Sequence, residues 1–342
     1  MNSERAASEA LVRGHVRASD VSPSAHTDAN RKVSCLACAA WIVLAYTGFV
    51  ILFGALVRIT GSGAGCGQHW PTCHGEIVHL PKTLETAIEF THRVTSGFAL
   101  IAAFGLWWLV ARQLPKGHRA RAAAAASAGL MVVEALIGAG LVLLALVGQN
   151  TSAARAVVMP AHLLSTYALT AALCLTALWV SPNSRPASQP RTAGRLLAVF
   201  GAVALVLVSA TGAVTALGDT VYPPAAGDVA ARLSDDHGTG AHFLQRLRIV
   251  HPVLAVTFAL FLLGTAPRLA GYAGSRRATL AGRTLMALLV VQLGAGLVNV
   301  WLSAPGYLQV IHLALAVAVW LAFVVLVNEA LFEANAARAR AA

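Results

Sequence analysis

The chain has 342 residues, of which 57% are hydrophobic and only 11% charged, and its mean hydropathy is +0.69. Water-soluble domains carry roughly a quarter charged residues, so this composition excludes an ordinary soluble protein and points to lipid as the solvent. The net charge of +11 does not mark a nucleic-acid binder. Its lysines and arginines fall in short segments that alternate with segments poor in both, which is the positive-inside pattern.

In chain order, residues 1–34 are polar and contain no cleavable signal peptide. They read as a mostly disordered cytoplasmic tail before an uncleaved first span. A helix crosses a bilayer with about 20 apolar residues. Eight runs qualify, at about 35–58, 88–111, 124–148, 158–180, 194–217, 243–265, 283–302 and 308–328. The fold class expected is therefore an all-α integral membrane protein. The N-terminal tail, the connections from each even span to the next odd one, and the C-terminal tail (329–342) hold 18 of the 25 Lys and Arg residues. Both termini are thus expected in the cytoplasm of a multi-pass plasma-membrane protein. Segments 59–87 and 218–242 become the long outer loops, the second of them acidic and flexible-looking, and 181–193 becomes a cytoplasmic linker.

The chain also repeats. The third and seventh spans share GAGLV, starting at Gly138 and Gly294. The first span has GALVRITGSG from Gly54, and the fifth has TGAVTALGD from Thr211. Histidines fall at matched places: His92 and His251 in the second and sixth spans, His162 and His312 near the outer ends of the fourth and eighth. Both copies start inside and have four spans. The pattern predicts two parallel-repeat four-helix bundles, 35–180 and 194–328, related by an axis along the membrane normal.

Polar residues in spans are rare and functional by default. Imidazole is a ready axial ligand for haem iron. Within each repeat, His92 pairs with His162 and His251 with His312, all in the outer half of the membrane. His242 competes with His251, but the register that lays LRIVHP over IEFTHR favours His251. Arg58, Arg93, Arg246 and Arg248 lie at the level where haem propionates would emerge; the alternative for them is interfacial snorkelling.

The first outer loop, GSGAGCGQHWPTCHGEIVH, places Cys66 and Cys73 outside the cytoplasm, where disulfides are permitted. A disulfide leads; a zinc or copper site from Cys66, His69, Cys73 and His74 is the alternative. Cys35, Cys38 and Cys174 read as packing residues. Glu89 lies three residues before His92, on the same helix face, where a carboxylate can hold a proton, stabilise a cation or position a substrate; alternatively it simply favours a helix N-terminus. The equivalent position in the second repeat is Arg248. Glu134, in the third span, ranks lower, because the seventh span has no acidic counterpart. The first half is thus expected to hold the reacting group and the second a permanent electron-transfer haem.

VRITGSGAGC at 57–66, HWPTC at 69–73 and IEFTHR at 88–93, extended by the histidines at 162, 251 and 312, resemble the membrane-bound haem A synthases of bacteria and mitochondria. The resemblance covers nearly all of 35–328. It implies oxidation of a methyl group of haem O to a formyl group, giving haem A for terminal oxidases. It implies a resident haem b on His251 and His312, haem O as substrate between His92 and His162, and Glu89 beside the reacting site. It also implies a redox-active Cys66–Cys73 disulfide; the second cysteine pair of some members is absent here. No dedicated non-haem metal and no nucleic acid are expected. Expected partners are a haem O synthase as donor, the terminal oxidase assembly pathway, a thiol–disulfide or quinone electron partner, and membrane lipid. A di-haem b electron-transfer protein, a haem transporter or chaperone, and a repeat-built ion or solute transporter are the other classes the pattern admits.

Overall fold

The computed structural model describes residues 23–181, 192–224 and 228–332. Its long helices are α1 (Pro23–Ile59), α2 (Leu84–Gln113), α3 (Arg119–Leu143), α4 (Ala153–Val180) and α5 (Thr192–Val221). After α6 (Val229–His237), the short α7 (Phe243–Arg246) and a 3-10 turn lead into α8 (Val250–Ala273), followed by α9 (Arg276–Trp301) and α10 (Gly306–Phe332). Among the described residues eight helical segments are long and apolar enough to span a membrane, α7 and α8 together making the sixth. The protein is a multi-pass all-α membrane protein.

The span ends differ from the expected ones for local reasons. The third span starts at Arg119 instead of 124, because the alanine run before it is helical and His118 caps it. The His118 Nδ1 accepts from the Ala120 N–H at 3.2 Å, and burial, then the neighbouring Arg119, hold its pKa below the usual value. The third span ends at Leu143, not 148, where Ala145 takes a positive φ of 51°. Ser152 then caps α4, accepting from the Arg155 N–H. Segment 218–242, expected to be flexible-looking, contains α6. Helix α1 begins at Pro23, inside the expected tail. Residues 1–22, most of the 181–193 linker and the end of the C-terminal tail lie outside the described residues.

Packing follows the repeat. Helix α1 packs on α2 and α4, and α3 packs on the same two, so α2 and α4 stand at opposite corners. Helices α5, α8, α9 and α10 close a second ring of contacts in the same order. The turns after α3 and α9 match bond for bond. Leu144 N–H donates to Gly140 O (3.0 Å) and Leu146 N–H to Leu141 O (2.8 Å); Leu302 N–H donates to Val298 O (2.9 Å) and Ala304 N–H to Asn299 O (2.8 Å).

The two rings meet along α4, the most buried span, with 56% of its window buried against 11–33% in the others. There Tyr167 stacks on Trp320 (ring centroids 5.0 Å apart) and accepts the Trp320 indole N–H at its carbonyl (2.9 Å). Trp179 donates to Asn328 Oδ1 at 2.8 Å. Small buried residues such as Ala103, Ala124 and Ala177 let the helices approach closely. The apolar core lies toward the inner side of the histidines: Ala99 to Val110 on α2, Leu169 to Val180 on α4, Ala259 to Ala273 on α8 and Val317 to Ala330 on α10.

Candidate haem-binding sites

In the second half, His251 and His312 face one another with ring centroids 6.3 Å apart and planes 89° apart. An iron held by two imidazole nitrogens at roughly 2 Å each, with roughly 1 Å more to each ring centre, needs about 6 Å between centroids. His251 Nδ1 lies 3.1 Å from the Val208 carbonyl, so that nitrogen carries the proton and Nε2 is left with its lone pair. His312 Nδ1 is buried without a partner, and its Nε2 lies 3.2 Å from the Gln292 amide nitrogen; binding iron there exchanges that contact for a metal bond. The pair fits a haem iron. His242 is elsewhere: it caps α7 and packs on Tyr222 and Phe243.

Glycine makes room for these rings. A Cβ on Gly212 would stand 2.9 Å from His251 Cε1, and one on Gly54 would stand 3.1 Å from His92 Cε1. These two glycines open the GALV and GAVT copies of the repeat, so the shared motif is a mould for an imidazole.

In the first half, His92 stands on α2 and His162 on α4. His92 Nδ1 is buried and unpaired, and the ring packs edge-on against Phe53 at 5.8 Å. His162 Nδ1 lies 2.9 Å from Glu134 Oε2.

Glu89 is 3% exposed. Its Oε2 accepts the Cys66 backbone N–H at 2.8 Å, and its Oε1 pairs with both Nε (3.1 Å) and Nη2 of Arg93. The other Arg93 amino group donates to the His69 carbonyl and, at 2.6 Å, to that of Thr72. Cys66 and Cys73 are joined by a disulfide, which settles the loop's two readings. Cys73, His74 and His79 do bring ligand atoms within 4.8 Å of one another, but the sulfur is spent in the disulfide and His79 Nδ1 meets Glu76 Oε2 at 2.7 Å. The loop rests directly on α2: a Cβ on Gly65 would lie 2.6 Å from the Glu85 carbonyl carbon, and Thr86 donates to Gly65 O at 2.7 Å.

The remaining arginines are engaged by protein groups. Arg58 reaches across the halves to the Ala216 carbonyl (2.7 Å), Thr220 Oγ1 and Gln309 Oε1 (3.0 Å). Arg248 binds Asp219 (2.9 Å), Asp236 (2.6 Å) and the carbonyls of Gly218 and Tyr222. Arg246 makes a long bond of 3.4 Å to Gly238 O.

The family model for cytochrome oxidase assembly proteins, COX15-CtaA, matches residues 37–324. The chain belongs to this family. A protoheme IX farnesyltransferase of Thermus thermophilus is 45% identical over 298 residues, 87% of this chain and 49% of the relative. The chain therefore spans about half the length of that protein. A heme A synthase of Halalkalibacterium halodurans is 30% identical over 237 residues, 65% of this chain and 74% of the relative. One from Alkalihalophilus pseudofirmus is 43% identical over 96 residues, 27% of this chain and 31% of the relative.

Two features escaped the sequence reading. Arg58 ties the halves together, which needs knowledge of which helices touch. Glu134 ranks lower in the sequence because the seventh span has no acidic counterpart, and the shared GAGLV lays Val290 opposite it. The matched turns after α3 and α9 instead align Leu144 with Leu302 and Ala145 with Ser303, which places Glu134 opposite Gln292. Each of these touches the histidine of the following span.

Proposed function

We propose that the protein is a haem A synthase, oxidising the methyl group of haem O to a formyl group through an alcohol. The observation that carries this is a duplicated histidine frame with a carboxylate and a disulfide on one copy only. The two rings of helices act as parallel four-helix bundles with both termini cytoplasmic. His251 and His312 hold a resident haem b, which takes up and passes on electrons when bound. His92 and His162 hold haem O as substrate.

In this reading the chain's own groups orient the substrate and manage protons. Glu89 stands one turn from His92 as a carboxylate fixed by Arg93 and the Cys66 amide, and its oxygens receive protons released as the methyl carbon is oxidised. Arg93 holds that carboxylate in place and anchors the loop that covers the site. Phe53 and Gly54 fix the plane of the His92 ring. The disulfide exchanges with a thiol partner or braces the loop. A haem O synthase supplies the substrate, the terminal oxidase assembly pathway takes the product, and a quinone or thiol–disulfide partner accepts electrons. The prenyl-transfer name of the Thermus relative belongs to a chain of which 49% aligns; the histidine frame suits iron rather than a diphosphate leaving group.

Purified protein given haem O and an electron acceptor should yield formyl haem on pigment extraction, and Glu89→Gln should abolish it with haem content intact. Wild-type protein that fills both haem sites yet forms no formyl haem would overturn the enzyme reading in favour of an electron-transfer protein or haem carrier.

A further inference from the structure

We propose that Glu134 is a positioning residue that makes His162 a strongly donating axial ligand, and so sets the first-half haem at a lower reduction potential than its second-half counterpart. The inference rests on the reading of His162 as a haem O ligand.

Two hydroxyls donate to this carboxylate, and His162 Nδ1, which makes no aligned hydrogen bond, lies against it. His162 Nδ1 lies 2.9 Å from Oε2, Thr166 Oγ1 donates to Oε2 at 3.0 Å, and Ser165 Oγ donates to Oε1. Both hydroxyls also bond the His162 carbonyl at 2.9 Å. The carboxylate, its two hydroxyl props and the backbone of its target thus form one closed cluster. Glu134 is 13% exposed at its side chain, so little water screens the contact. A carboxylate accepting the second N–H of a ligating imidazole fixes its tautomer and raises its basicity, which favours the ferric over the ferrous state.

The other three histidines are backed differently. His251 Nδ1 meets a neutral carbonyl, Val208 O, at 3.1 Å. His312 meets the Gln292 amide. His92 Nδ1 has no partner. At the matched position of α3 and α9 the molecule therefore carries a carboxylate in one half and its amide isostere in the other. Glu134 meets Nδ1 of its histidine, whereas Gln292 meets Nε2 and leaves Nδ1 of His312 without a partner, so a carboxylate stands behind the ring in the first half alone.

The test is spectroelectrochemical titration of the full chain, loaded with haem b and haem O, for wild type, Glu134→Asp and Glu134→Gln. The first-half couple should move positive in the order Glu, Asp, Gln. The Gln variant should change the ferrous-to-ferric ratio at fixed potential roughly tenfold, about 59 mV for one electron. The ferric EPR g-values of that haem should shift with it, while the second-half haem keeps its potential and signal. A carboxylate that only braces α3 against α4 would lower haem occupancy or Tm and leave the potential in place; that result in the Asp and Gln variants overturns the proposal. His162→Ala tests the underlying reading separately. First-half haem unaffected by that change removes His162 as a ligand, whereas haem lost in His162→Ala but insensitive to Glu134 rejects the tuning role alone.

Discussion

The outer ends of α2 and α8 occupy the same place in the two halves and carry opposite charge. On α2, Glu89 is neutralised by Arg93 and holds the Cys66 amide. On α8's leading turn, Arg248 is neutralised by Asp219 and Asp236. Both arrangements do one mechanical job: each pins an outer segment over a histidine helix through a buried ion pair. The sign alone is inverted. A pinned loop thus needs a charge pair but not a particular polarity. On the first side one acid meets one base, while on the second a single base is shared by two aspartates.

The largest test of this contrast removes a ligand from each half. His251→Ala should lose the resident haem b entirely in a reduced-minus-oxidised spectrum, while His92→Ala should keep it and make no haem A. Normal haem content and activity in both variants would dissolve the division between halves. Next in size, Arg248→Met leaves two carboxylates without their cation, and breaking a buried pair in this way costs about 3–5 kcal/mol. The loss should appear as a lower unfolding temperature in detergent, with haem b released in the same transition; a change within error would mean the second loop is pinned by something else.

Removing the disulfide with Cys66→Ser and Cys73→Ser should cost less, about 2–3 kcal/mol for so short a loop. Hydrogen exchange should increase over 62–79 and stay unchanged around α6; protection unchanged in the first loop would show that Glu89 and Arg93 suffice. The smallest effect concerns His118, outside the spans. Its ring accepts a bond from Ala120 and so works only when neutral, and its pKa in the fold is lowered. Protons therefore bind the unfolded chain more readily. The cap's contribution is complete above the ordinary value of about 6.5 and is lost as pH falls through the folded value. A slight drop in unfolding temperature on acidification, absent in His118→Ser, is expected.

Much of this was legible without coordinates, because lipid imposes a coarse code. The eight apolar runs follow from hydropathy. Helix ends were less legible. The early start of α3 depends on a cap at His118, and its stop depends on a positive φ at Ala145, neither of which leaves an apolar signature. Glu134 ranks lower because the seventh span has no acid; its contact with His162 depends on how α3 packs on α4, which leaves no mark in the sequence. Arg58 reads in the sequence as a residue at propionate level, but its donors go to α5 and α10, a choice made by the packing of the halves.

Arg58 also bears on how such a chain can change. It sits four residues after Gly54, the glycine behind His92, and grips α5 at Ala216, four residues after Gly212, the glycine behind His251. The two imidazole moulds are thus pinned to each other by a single guanidinium. A duplicated protein joined only by a linker can let its copies drift separately. Here an altered tilt of either mould is felt by the other, so the copies evolve as one mechanical part. Two separately expressed halves would have to rebuild this grip along with the α4 seam of Tyr167, Trp320, Trp179 and Asn328.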